Sequence, residues 1–94
     1  MRRAAKIDAN QNPIVRGLIS IFGPDCVFDA SRVGQGFPDI VVGIRGVTLL
    51  MEIKTDGGTL TPSQIRFHRR WQGHRSVVRT LEEALQVIEK ATCK

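Results

Sequence analysis

The chain has 94 residues, 41% of them hydrophobic, and a formal net charge of +5 at pH 7. This length suits one domain, residues 1–94, and the apolar content argues against a disordered chain. The longest largely apolar run, roughly Val47 to Met51, is far too short to cross a membrane, and no apolar segment follows the first residues as a secretory signal requires. We therefore expect no membrane association.

The charge and the cysteines indicate a partner class and a compartment. A small basic domain usually meets a polyanion, most often nucleic acid, although the charge could serve solubility alone. Cys26 and Cys93 match neither a zinc site nor a secreted disulfide framework. We expect Cys26 in the core and Cys93 within a frayed end at residues 92–94. The protein is then expected in a reducing compartment, the cytoplasm.

The first predicted helix runs from Asp8 to Phe22, after a basic arm over residues 1–7. Pro13 is tolerable only in a first turn, which favours Asn10 or a later residue as the cap. At helical spacing one face carries apolar residues. They are Ile14, Leu18, Ile21 and Phe22.

Three strands and a loop are predicted next. The first is Cys26–Phe28, followed by a glycine-containing loop over 31–37. Strands at 39–44 and 47–54 flank the tight turn Arg45-Gly46 and form a hairpin.

A second helix is predicted from Thr61 to about Trp71. Thr61 is the N-cap, Pro62 takes the first helical position, and Gln64 completes a capping box. Gly73 is expected to close this helix.

The chain then returns to a strand over 76–79 and ends in a helix. That helix opens with a second capping box at Thr80, and its buried stripe is expected at Leu81, Ala84, Leu85 and Ile88. The order α-β-β-β-α-β-α predicts an α/β fold with a small mixed sheet flanked by helices.

Three charged residues are predicted to converge on the hairpin. Glu52 and Lys54 share a face because strand side chains repeat every two residues, and Ile53 points the other way. Counting back from the turn brings Asp39 beside Glu52. In the alternative interpretation the three have no joint function: Asp39 is a turn residue, Glu52 a solvated charge at a sheet edge, and Lys54 a surface lysine.

A divalent cation would resolve the repulsion between two adjacent carboxylates. Mg²⁺ or Mn²⁺ prefers oxygen ligands, which Asp39, Glu52 and the backbone carbonyl of Ile53 could supply. Lys54 could orient the attacking water and offset charge on a phosphate. The chemistry predicted is hydrolysis of a phosphodiester.

The motifs here extend over about residues 8–90. They are Gly36-Phe37-Pro38-Asp39, Glu52-Ile53-Lys54, and Leu60-Thr61-Pro62-Ser63-Gln64 followed by Phe67, His68, Trp71 and Gly73. Together they resemble the virus-type replication-repair nuclease (VRR-NUC) domain of the PD-(D/E)XK superfamily. The resemblance implies a restriction-endonuclease-like core, a metal-dependent endonuclease encoded by phage or prophage, a homodimer, and four-way DNA junctions as substrates.

Two glutamines bear on the site that this resemblance implies. Family members usually carry a metal-binding glutamate in the first helix, where this chain has Gln11, a neutral ligand, with Asp8 as a possible substitute. Gln64 has two interpretations, as a capping residue and as a catalytic amide that holds water or a phosphate oxygen. The two roles can coexist at the start of a helix.

Basic residues provide candidate nucleic-acid contacts. They comprise Arg2, Arg3 and Lys6 in the arm, Arg32 in the loop, and Arg66, Arg69 and Arg70 on the second helix, near His68, His74 and Arg75. The alternative is a solvated helix face, and a lone histidine there is usually just exposed. Phe67 and Trp71 lie one helical turn apart, which favours a core or dimer contact over base stacking.

The leading function is a Mg²⁺- or Mn²⁺-dependent, structure-selective DNA endonuclease. The alternative is a non-cleaving nucleic-acid binding module with the same fold, which Gln11 favours. A third interpretation is a subunit of a phage or plasmid replication complex that acts through protein contacts.

Overall fold

A computed structural model of the chain describes residues 12–55 and 57–93. Its elements are α1 (Pro13–Phe22), a 3-10 turn (Pro24–Cys26), β1 (Val27–Asp29), β2 (Ile40–Ile44), β3 (Val47–Ile53), α2 (Pro62–Arg70), β4 (Arg75–Val78) and α3 (Leu81–Thr92). Apart from the 3-10 turn, this is the predicted order. The fold is the predicted small mixed sheet with helices.

The four strands lie in the order β1-β2-β3-β4. β1 pairs antiparallel with β2, and β2 pairs antiparallel with β3, whereas β4 runs parallel to β3. The β2–β3 hairpin pairs Ile44 with Val47 next to the turn and Ile40 with Met51 at the far end. Arg45 takes a positive φ of 55° and Gly46 one of 82°, the left-handed backbone that a tight hairpin turn requires.

One face of the sheet packs against α1 and α3. Its side chains come from alternate strand residues and join the helices in a single apolar cluster. The cluster comprises Ile14, Val15, Leu18, Ile40, Val42, Ile44, Leu49, Met51, Val78, Ala84 and Ile88. Ile53 packs against this cluster, as predicted, and so do Leu81 and Leu85.

Helix α1 begins later than Asp8, with the later cap that Pro13 favours. Asn12 is its N-cap, and Asn12 Oδ1 accepts a hydrogen bond from the Ile14 amide at 2.8 Å, so Pro13 occupies the first position. The prediction of a helix from Asp8 is wrong at Asn12, which has extended backbone angles, and residues 8–11 lie outside the described part of the chain. The buried face is also rotated: Val15 is buried, whereas Ile21 is 54% exposed.

The first strand was predicted one residue early. Cys26 ends the 3-10 turn, and its Sγ donates to the Gly23 carbonyl, so it is half-buried beside the core rather than part of β1. Neither Cys26 nor Cys93 forms a disulfide. Burial raises the pKa of the Cys26 thiol. Thr92, which we expected to fray, is the last residue of α3.

The later element ends also differ. Trp71, not Gly73, caps the C-terminus of α2, because extended backbone angles at Trp71 end the helix there. β4 runs over Arg75–Val78, one residue before the predicted range. At α3 the Thr80 hydroxyl caps the Glu83 amide as predicted, but the Glu83 carboxylate accepts from the Arg79 amide instead of returning to Thr80. Within residues 12–55 and 57–93, no helix is both long and apolar enough to cross a bilayer.

Candidate active site

Asp39 and Glu52 lie side by side at the end of the hairpin remote from its turn. The last β2–β3 pair is Ile40 with Met51, and one further step in the same register places Asp39 opposite Glu52. Residues opposite each other in an antiparallel pair project from the same face. Asp39 lies just before β2, and its half-buried side chain continues the pairing with β3, because Oδ2 accepts from the Ile53 amide at 2.8 Å. On the β1 side its backbone carbonyl accepts from the Ala30 amide, also at 2.8 Å.

Glu52 is the one buried charged residue in the part of the chain that the structure describes, with 2% of its surface exposed. Gln64 Nε2 donates to Glu52 Oε2 at 3.0 Å, and Lys54 Nζ lies 3.8 Å from the same oxygen. Burying a carboxylate is costly even when it is partnered. A negative charge at this position therefore lowers the stability of the fold.

Gln64 completes the predicted capping box and also contacts Glu52, while the catalytic role considered for it stays a prediction. Its Oε1 accepts from the Thr61 amide at 2.8 Å, which completes the capping box, while its Nε2 faces Glu52. A glutamine suits this position because its amide accepts at one end and donates at the other. The start of α2 is thus attached to the buried carboxylate by one side chain.

The loop before Asp39 packs tightly on the start of α2. Gly36 has φ +84°, and a Cβ there would overlap the Ser63 carbonyl, at 2.6 Å from its carbon atom. Only glycine permits this approach and this backbone angle together. Pro38 is fully buried behind it. The Gly-Phe-Pro-Asp segment therefore sets the distance between Asp39 and α2.

The donors at this site fit a hard divalent cation. Asp39 and Glu52 offer carboxylate oxygens on one face, and Mg²⁺ and Mn²⁺ are commonly held by one or two carboxylates with water and phosphate oxygens. Over residues 12–55 and 57–93, no group of three or more His, Cys, Asp and Glu side chains could hold a metal ion. Asp8 and Gln11, the further ligands considered, lie outside those ranges. The part assigned to the Ile53 carbonyl stays a prediction.

The basic residues on α2 divide into two groups. All three arginines are exposed, but Arg66 and Arg70 line a cavity of about 470 Å³ beside the site, whereas Arg69 does not. Arg32 is exposed in the loop after β1, where Asp29 Oδ1 holds the neighbouring Ser31. Arg2, Arg3 and Lys6 lie outside the described residues.

Phe67 and Trp71 are not core residues. α2 has no buried residue, Trp71 is 40% exposed, and its ring stacks on Phe67 with centroids 5.2 Å apart. Both rings line the same cavity as Arg66 and Arg70. The signal for this was present in the spacing, because an arginine pair and an aromatic pair each recur after four residues and so form adjacent rows on a helix.

His68 is half-buried on the same helix, not exposed as expected for a lone histidine. Burial, and to a smaller extent the Arg75 guanidinium, lowers the pKa of His68. Arg75 Nε also donates to the His68 backbone carbonyl, at 2.6 Å, which ties β4 to α2.

A scan of protein-family models found no match for this chain, and neither did searches among curated proteins and solved structures. The resemblance to VRR-NUC nucleases therefore stays a prediction based on the motifs.

Proposed function

We propose that this chain is a Mg²⁺- or Mn²⁺-dependent endonuclease that hydrolyses phosphodiesters in branched DNA. The observation that carries the proposal is the buried Glu52 carboxylate, 2% exposed, beside Asp39 and within 3.8 Å of Lys54 Nζ. Such a costly arrangement is typical of a functional site rather than of a stabilising ion pair. The motif resemblance and the basic net charge support the same conclusion.

The two carboxylates would hold the cation and align it against a DNA strand. Asp39 is fixed by the Ile53 amide, and Glu52 by Gln64, so neither side chain needs to reorganise on binding. When bound, a divalent cation would polarise the scissile phosphate and acidify a water molecule.

Lys54 would stabilise the negative charge that develops on the phosphate during hydrolysis. Its ammonium shares the site face with Glu52, and its side chain is 17% exposed, so it can reach a strand at the surface. Gln64 would position Glu52 and offer its amide edge to the attacking water. Ile53 contributes packing against the core, which holds the strand segment Glu52-Ile53-Lys54 in place.

Substrate selection would rest on backbone shape and charge. Arg66 and Arg70 beside the site, together with Arg69, Arg32 and the N-terminal Arg2, Arg3 and Lys6, would contact phosphates, which position a strand without reading its sequence. A homodimer would bring two such sites to the two strands of a branch. We place this activity in the cytoplasm of a bacterial host, encoded by a phage or prophage.

A cleavage assay on a synthetic four-way junction tests the proposal. We expect nicking that requires Mg²⁺ or Mn²⁺, that stops on chelation, and that is much weaker on an uninterrupted duplex of the same sequence. Glu52→Gln should abolish it, and calorimetry with Mn²⁺ should show that the same variant loses cation binding. No nicking at any metal concentration, with binding retained, would overturn the proposal and support the non-cleaving module instead.

The proposed dimer has its own test. Size-exclusion chromatography with light scattering should give twice the chain mass. A monomer at micromolar concentration would contradict the dimer and leave the chemistry of one site unaffected.

A further inference from the structure

The cavity beside the candidate site has the chemical character of a nucleotide subsite. It is lined by Gln35, Ser63, Arg66, Phe67, Arg70 and Trp71, and we call it the α2 groove. Its volume of about 470 Å³ is within the range of small-ligand sites. Cations and aromatic rings are the two kinds of side chain that bind a phosphate and a base.

The aromatic part of the α2 groove consists of rings in contact with one another. Phe37 contacts Phe67 edge-on, with centroids 5.4 Å apart, and Phe67 in turn stacks on Trp71 with an angle of 20° between the planes. Three rings in contact support one another, so the exposed indole is presented in a defined orientation. Gly73 lies against the indole, where a Cβ would come within 2.8 Å of Trp71 Nε1, so no side chain at that position covers the ring.

In the described part of the chain, the arginines of the α2 groove form no ion pair. Within residues 12–55 and 57–93 the one ion pair is Lys54 with Glu52, so neither Arg66 nor Arg70 is neutralised there. Arg66 and Arg70 are one helical turn apart, as are Phe67 and Trp71. The result is two adjacent rows, one of guanidinium groups and one of rings.

The α2 groove adjoins the candidate active site. Ser63 lines the groove, and the next residue, Gln64, donates to Glu52. Trp71 follows Gln64 by seven residues, a rise of about 10 Å along a helix axis. A strand that crosses Glu52 could therefore place a base on Trp71 within a few nucleotides of the scissile bond.

From these observations we infer that the α2 groove binds an unpaired nucleotide of the DNA substrate, with its base stacked on Trp71 and flanking phosphates on Arg66 and Arg70. A base within a duplex already has both faces stacked, so the ring selects nucleotides that have left the stack, as at a branch or a single-stranded end. The inference rests on the proposed function for the identity of the ligand, and it names the feature of branched DNA that is recognised.

Trp71 is the one tryptophan of the chain, which also has no tyrosine, so the intrinsic fluorescence excited at long wavelength reports on this ring alone. The full chain is titrated without divalent cation, using a short single-stranded oligodeoxynucleotide and an abasic strand of the same length. We expect the oligonucleotide to quench the fluorescence and the abasic strand to leave it nearly unchanged. Equal quenching by both strands would overturn the inference.

Variants separate stacking from charge. By anisotropy of a labelled strand, Trp71→Ala should bind the oligonucleotide about five- to a hundredfold more weakly, and Trp71→Phe should retain most of the affinity. Arg66→Ala should weaken binding of the normal and the abasic strand equally. The control is Arg45→Asn, which removes the same charge at the turn of the hairpin, remote from the candidate site. Asparagine tolerates the positive φ of that position.

The outcomes distinguish this inference from the proposed function. Quenching without junction cleavage would support the subsite and reject the nuclease. Cleavage with full affinity in Trp71→Ala, shown by circular dichroism to be folded, would reject the subsite and leave the nuclease intact.

Discussion

The two faces of the four-stranded sheet differ in what covers them. One face meets α1 and α3 and contributes Ile40, Val42 and Met51 to a continuous apolar core. The other face carries Glu52 and Lys54, and it meets the start of α2, a helix with no buried residue. The alternation of each strand separates the two roles residue by residue.

Residues important for stability alternate with candidate site residues along the same strand. In β3, Met51 is fully buried in the core cluster, and Glu52, the next residue, is buried among polar partners. A change in the apolar core cluster should therefore alter folding, and a change at Glu52 or Lys54 should alter activity. The following predictions test that separation.

The largest effect is expected at Lys54. Lys54→Ala should lower the rate of junction cleavage by at least about a hundredfold, because charge on the phosphate would lose its nearest ammonium. DNA binding measured by anisotropy should remain nearly intact. Equal loss of cleavage and binding would mean that the lysine is only a phosphate contact.

The matched control lies on the opposite face. Leu18 is fully buried in the core, so Leu18→Ala should lower the free energy of unfolding by about 2–5 kcal/mol in a urea titration. Cleavage per folded molecule should be unchanged. A large loss of specific activity at low temperature, where the variant is folded, would contradict the separation.

Gln64 tests the link between α2 and Glu52. Gln64→Glu keeps an acceptor for the Thr61 amide but places a second carboxylate where an amide donated to Glu52 at 3.0 Å. Cleavage should fall about ten- to a hundredfold, as is typical when the support of a metal ligand is removed. The melting temperature should also fall at neutral pH, because the new carboxylate repels the buried Glu52 carboxylate.

Gln64→Ala provides the comparison for that variant. It loses the cap as well as the donor but adds no second carboxylate, so its free energy of unfolding should fall by about 1 kcal/mol without the repulsion present in Gln64→Glu. If both variants cleave like the original chain, the contact with Glu52 has no part in the reaction.

Alanine substitutions at Gly34 and Gly36 distinguish the cost of backbone strain from the cost of steric overlap. Both have a positive φ, +83° and +84°, but a Cβ at Gly34 meets nothing within 4 Å, whereas one at Gly36 overlaps the Ser63 carbonyl. Gly34→Ala should cost about 1–2 kcal/mol of unfolding free energy. Gly36→Ala should cost that and about 1–3 kcal/mol more, and should also lower cleavage because α2 must move. Equal stability and activity for the two would contradict the tight packing.

The smallest effect is a pH dependence from His68. Its pKa is lowered in the folded chain from an ordinary value of 6.5, so the unfolded chain binds more protons as the pH falls. The contribution of this shift to the free energy of unfolding should be fully present above about pH 6.5. It should be lost as the pH falls from there through the lower pKa of the folded chain. His68→Gln should make the melting temperature less dependent on pH in that range. His74→Gln, at an exposed position, is the control and should leave that dependence as it is.

Local patterns were sufficient to predict most of the fold. Capping residues such as Thr61 and Thr80 act on the backbone within a few residues, so their helices could be located from the sequence alone. The register of Asp39 against Glu52 also follows from a short turn, because a hairpin leaves one pairing that buries the apolar residues of both strands.

The features missed depend on contacts between distant segments. No local pattern connects Gln64 with Glu52 or the Asp39 side chain with the Ile53 amide. The spacing of Trp71 from Phe67 predicts an apolar row in the core or at a dimer contact, and the core alternative is wrong, since spacing does not say whether another element of the chain covers that row. Ile21 was misplaced for the same reason. The dimer contact of Trp71 stays a prediction.

The Gln64 side chain has a geometric consequence. With one end of its amide on the Thr61 amide and the other on Glu52, the number of methylene groups between backbone and amide sets the gap between a helix and a sheet. An asparagine, one methylene shorter, could reach either neighbour but not both. The same side chain therefore also limits how far the arginines of α2 lie from the buried acid.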